Sequence, residues 1–101
     1  MIIIYTTFPN KKSAKNLAEK ILKIRLAACL NFLPIDSQYL WQGKIEKVKE
    51  WAMMIKTLKK NYQKIEKLIK KNHPYQIPAI FSWPIEKVEK KYLKWLKDEI
   101  K

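Results

Sequence analysis

An α+β domain is predicted by three features of the 101-residue chain. Short β-branched and aromatic runs alternate with segments whose apolar residues recur at helical spacing. The only glycine, Gly43, lies between two such runs, where a hairpin turn would use it. The five prolines punctuate the runs or end them. At this length, with nearly half its residues apolar, the chain is expected to form one domain, residues 1–101, around one core.

The first strand is Met1 to Phe8, β-branched and aromatic with no helical period. Pro9 ends it, and Asn10 is placed to cap a helix. From Ser13, Ala14, Leu17, Ala18, Ile21 and Leu22 share one helical face, and the helix runs to about Arg25. "AACLNFLP", Ala27 to Pro34, reads as a second strand stopped by its proline, and "SQYLW" as a further short one before the Gln42-Gly43-Lys44 turn. Lys44 to Leu58 carries both a helical and an alternating pattern. A strand is preferred, because a hairpin turn precedes it and a clearer helix follows.

That second helix carries Leu58, Tyr62, Ile65, Leu68 and Ile69 on one face and closes near Lys70-Lys71-Asn72, with Asn72 as a candidate C-cap. "YQIPAIFSW", Tyr75 to Trp83, then reads as a strand, with Pro78 at an edge or bulge and Pro84 as its end. A last helix is expected to turn Val88, Tyr92, Trp95, Leu96 and Ile100 inward. The order is that of a ferredoxin-like βαββαβ antiparallel sheet with an additional C-terminal helix. Its exposed sheet edges invite pairing with other subunits.

The net charge of +13 raises the question of a polyanion partner. The lysines are spread from Lys11 to Lys101 on the solvent faces of helices, and Arg25 is the only arginine. Specific phosphate and base recognition favours the planar fork of arginine, so a solvated lysine surface is the preferred reading and a nucleic-acid partner is not expected. Cys29 is alone, which rules out an intrachain disulfide and suits the cytoplasm. The apolar N-terminal run is too short for a signal sequence or a membrane span.

No phosphate-cradling loop, CxxC, HExxH or GxSxG motif is present, and enzymatic activity is not expected. Cys29 and His73 are the only soft or imidazole ligands, too few for a closed zinc site in one subunit. A metal would need carboxylates such as Glu46 or Glu50, waters, or a second chain. Cys29 reads either as a small buried strand residue or as a ligand. His73 reads as a turn residue or as a ligand contact, held with Tyr75 in a segment stiffened by Pro74 and Pro78. The four tryptophans, with Tyr62 and Tyr92, are expected in the core or an interface. Lys56, inside the apolar "WAMMIKTL", reads as a strand-end lysine or as a cation facing an anionic ligand.

Taken together, "YTTFPN", "RLAACLN", "YLWQGKIE", "IKT", "HPYQIPAI" and "YLKWL" resemble, in order and along nearly the whole chain, the CutA divalent-cation-tolerance family. The resemblance implies a tight homotrimer assembled through its sheets, cytoplasmic and without established catalysis, involved in the response to copper or other divalent cations. It also implies an inter-subunit cleft near Cys29, Trp41, Lys56, His73, Tyr75 and Tyr92, with Cys29 and His73 as the metal contacts. A signalling-type protein binding an anionic small molecule through Lys56 is the alternative, and a basic module holding polyanions without specificity is another. The segment "KIEKVKE" keeps only Glu46 and Glu50, and net positive charge repels cations unless the cleft is locally acidic.

Overall fold

The computed structural model describes residues 1–101. Its elements are β1 (Ile2–Phe8), α1 (Lys11–Lys23), β2 (Cys29–Trp41), β3 (Lys44–Thr57), a 3₁₀ turn (Lys59–Asn61), α2 (Tyr62–Asn72), β4 (Ile80–Pro84) and α3 (Lys90–Glu99). The sheet is antiparallel with strand order β2-β3-β1-β4, so the chain has the expected ferredoxin-like arrangement with a terminal helix.

The pleat sorts the side chains. Ile2, Ile4 and Phe8 of β1 and Met53 and Ile55 of β3 face α1 and α2, where Ala14, Leu17, Ala18, Ile21, Ile65 and Ile69 close the core. Each large aliphatic buried there contributes about 1.5–3 kcal/mol, which is why these two helices hold to this face. The alternate residues, including Tyr5, Thr7, Glu50 and Lys56, fall on the other face.

Helix α1 begins where the sequence indicates, with Asn10 Oδ1 accepting from the Ser13 N–H at 2.8 Å. It stops at Lys23. Arg25 takes φ 58°, and its guanidinium donates to the carbonyls of Glu99 and Asp98, tying the end of α3 to the end of α1. The hairpin turn has positive φ at both Gln42 and Gly43, the geometry that matches the twist of two antiparallel strands.

Several expectations are corrected. Pro34 does not stop a strand: Cys29 to Trp41 is one strand in register with β3, Pro34 opposite Trp51. β2 is an outer strand, where a residue lacking an N–H can be accommodated. Leu58 precedes the 3₁₀ turn and does not join the helical face of α2, and His73, not Asn72, is the C-cap of α2. Asn72 is the last helical residue, its Nδ2 donating to the Leu68 carbonyl at 2.8 Å.

The strand expected from Tyr75 is shorter, because β4 begins at Ile80 opposite Thr6. One position further along, the Thr7 carbonyl accepts from the His73 ring and not from a neighbouring strand, and Pro78 has no N–H to offer. Trp41, Trp83 and Trp95 are exposed in the single chain, which removes the core alternative for them and leaves the interface one, and Trp95 does not face inward as expected of the last helix.

Beyond Trp51, β3 has no partner but β2. Residues 35–41 and 44–50 therefore form a two-stranded arm, with Leu40 75% and Ile45 68% exposed near its tip.

Candidate functional site

A cleft of about 630 Å³ lies between the arm, from its base toward its tip, and the segment between α2 and β4. Its walls come from Tyr5 and Thr7 of β1, Ser37 to Tyr39 and Trp41 of β2, Glu46 and Glu50 of β3, and Pro74 to Ile77 with Ala79. The ladder explains the grouping. Glu46 is opposite Tyr39 and Glu50 is opposite Ile35, with both carboxylates on the face away from α1 and α2.

Glu50 is only 7% exposed. Its Oε2 accepts from the Tyr75 hydroxyl at 2.8 Å. None of the five ion pairs of the chain includes Glu46 or Glu50, and no lysine or arginine lines the cleft. In a chain of net charge +13 this is a locally acidic recess. A carboxylate buried without a cation is costly, and a bound cation would offset that cost. Burial, then the bond to Glu50, pushes the Tyr75 hydroxyl well above the usual phenol range, so it stays a donor at neutral pH.

His73 holds Tyr75 in place. Its ring stacks on Phe8, with centroids 4.3 Å apart, and lies 4.8 Å from the Tyr75 ring. The Tyr75 N–H donates to Nδ1 at 3.0 Å, so Nδ1 is the acceptor and Nε2 carries the proton donated to the Thr7 carbonyl at 2.6 Å. Both ring nitrogens are thus engaged, and neither offers a metal a free lone pair. Burial lowers the His73 pKa, opposed by the Thr7 carbonyl and by the charge of Glu50.

Of the six residues singled out in the sequence, Trp41 and Tyr75 line the cleft and His73 buttresses it from behind. Cys29, Lys56 and Tyr92 form a separate group. Cys29 is half-buried opposite Lys56, whose Nζ lies 5.5 Å from the centre of the Tyr92 ring. Lys56 is six residues along β3 from Glu50, about 20 Å at strand rise. Within one chain Cys29 and His73 do not meet, and no three His, Cys, Asp or Glu side chains gather closely enough to hold a metal ion. Tyr39 and Tyr5 belong to the cleft but were not singled out, although the period-2 alternation that places Glu46 also places Tyr39 beside it.

Comparison with known proteins agrees with the geometry of the chain as a whole. Residues 2–99 match the family model described as CutA1 divalent ion tolerance protein. A divalent-cation tolerance protein CutA from Pyrococcus horikoshii is 43% identical over 101 residues, covering all of this chain and 99% of the relative. One from Thermotoga maritima is 40% identical over 100 residues, covering 99% of each. The crystal structure of CutA1 from Pyrococcus horikoshii superposes with a TM-score of 0.96 at 42% identity, covering all of this chain and 99% of that one. The structure described as the periplasmic divalent cation tolerance protein CutA from Archaeoglobus fulgidus superposes at 0.97 with 36% identity, covering both chains fully.

Proposed function

Because the chain belongs to the CutA1 divalent ion tolerance protein family, we propose that it is a non-enzymatic, cytoplasmic homotrimer that responds to metal ions by binding copper or another divalent cation at the Glu46–Glu50 cleft. The observation that carries this reading is the buried Glu50 carboxylate, held by Tyr75 in a recess without a single basic side chain. Lys47 and Lys49, the neighbours of Glu46 and Glu50 in β3, alternate onto the opposite face, and lysines beyond about 8 Å are screened at physiological ionic strength, so the two carboxylates dominate at contact range.

The direct donors proposed for a metal ion are the oxygens of Glu50, with waters completing the shell and Glu46, four residues along β3, adding its charge through those waters. Trp41 and Tyr75 supply the walls, and His73 positions Tyr75. Support for trimeric assembly comes from apolar side chains left uncovered on the open sheet face and the arm, among them Leu33, Leu40, Ile45 and Phe81. Cytoplasmic residence is supported by the single, unpaired Cys29.

Calorimetric titration of copper into the full chain tests the site. Glu46→Gln combined with Glu50→Gln is expected to weaken binding at least about tenfold, a loss of ~1.4 kcal/mol. Cys29→Ala should leave it unchanged. Equal affinity in the wild type and the double variant would remove the cleft as the cation site.

A further inference from the structure

We propose that the cleft takes an organic diammonium ion, an α,ω-diamine whose two charged ends meet Glu46 and Glu50. This rests on the cleft being a cation site and names the class of cation it fits best.

Glu46 and Glu50 lie on the same face of β3, four residues apart, which separates their Cα atoms by about 13 Å. A bare ion draws its oxygen ligands to about 2.0–2.6 Å and wants several of them. Here one carboxylate is fixed to Tyr75 and no third acidic, Cys or His side chain joins the pair. Two anions at opposite ends of a recess instead match two cations joined by a spacer.

The walls repeat this division. Tyr39 is opposite Glu46 in the ladder, and Tyr75 donates to Glu50, so each carboxylate has an aromatic neighbour. An ammonium group is attracted to the face of such a ring by about 0.5–2 kcal/mol, on top of its pairing with the carboxylate. Ile77 and Ala79 add an apolar part to the lining, suited to a methylene chain. The volume of about 630 Å³ is in the range of small organic ligands and far exceeds what a metal ion requires. Glu50, 93% removed from solvent yet without a cationic partner, is the group whose charge the ligand would compensate.

The test is a calorimetric series on the full wild-type chain with straight α,ω-diamines of two to eight methylenes, the monoamines of equal length, and magnesium chloride. Diamines are expected to bind at least about tenfold more tightly than the matching monoamines, with an optimum in spacer length. Glu46→Gln, at a half-buried position that should tolerate the change, is expected to abolish the diamine advantage. If diamines and monoamines bind alike, or if neither binds, the diammonium assignment is overturned. If copper binding responds to the cleft substitutions while diamines do not bind, the assignment falls and the cleft reading stands. If neither copper nor diamine binding responds to those substitutions, both fall.

Discussion

His73 is the only imidazole in the chain, so a titration between about pH 5 and 7 can be traced to one side chain. The fold uses its neutral form: Nδ1 accepts from Tyr75 and Nε2 donates to Thr7, and burial holds its pKa below the ordinary value of about 6.5. In the depressed direction the unfolded chain binds the proton more readily. The contribution to stability is therefore complete above about pH 6.5 and is lost as pH falls through the lowered folded value. Urea midpoints are expected to drop between pH 7.5 and 5 in the wild type, and the dependence should flatten in His73→Gln. A wild-type profile parallel to that of the variant would contradict this role.

The turn character of His73 and its stiffening by Pro74 could be read from neighbouring residues. The engagement of both ring nitrogens could not, because the Thr7 carbonyl is 66 residues away in the chain. Glu50 is a similar case. Its alternation with hydrophobic residues is visible, but its burial depends on the Tyr75 hydroxyl, which arrives from another element.

Among the elements, the most local signals were the most legible. The Asn10 cap and the Gly43 turn each follow from one residue type in one backbone conformation. Gly43 has φ 78°, and a Cβ there would touch nothing within 4 Å, so a substitution acts through backbone conformation alone. Gly43→Ala is expected to cost about 1 kcal/mol in chemical denaturation, without a change in core packing. A cost near zero would show that the hairpin adopts another turn without penalty. Pro34 and the Tyr75 to Ala79 segment depart from the sequence expectation for a shared reason. Whether a proline or an extended run joins a ladder depends on which strand lies beside it, and the local sequence does not specify that neighbour. The exposure of Trp41, Trp83 and Trp95 is likewise set by what packs on them and not by their hydrophobicity.

At the scale of the whole molecule, basic charge is dense on the helices and absent from the cleft lining, although Lys44 and Lys56 of β3 share the cleft's sheet face. Helix α1 carries five lysines, the 3₁₀ turn two and α2 four, against Glu19 and Glu66, while the cleft on the opposite side of the sheet carries only acidic charge. The arm extends a molecule measuring 45 × 26 × 21 Å, and a two-stranded ribbon is marginal in water unless something packs against it. Leu40 and Ile45 near its tip are the apolar contacts the proposed trimer would cover. Leu40→Asp with Ile45→Asp is expected to shift sedimentation from trimer toward monomer, and an unchanged trimer would place the subunit contact elsewhere.

The central claim, that a cation sits between Glu46 and Glu50 and not at Cys29, is tested most directly by paramagnetic broadening. Substoichiometric manganese is added to the ¹⁵N-labelled full chain while amide signals are followed. The amides of Glu46, Glu50 and Tyr75 are predicted to broaden first, with Cys29 and Lys56, about 20 Å along the sheet, affected least. Early loss of the Cys29 and Lys56 signals with the cleft signals intact would contradict the account.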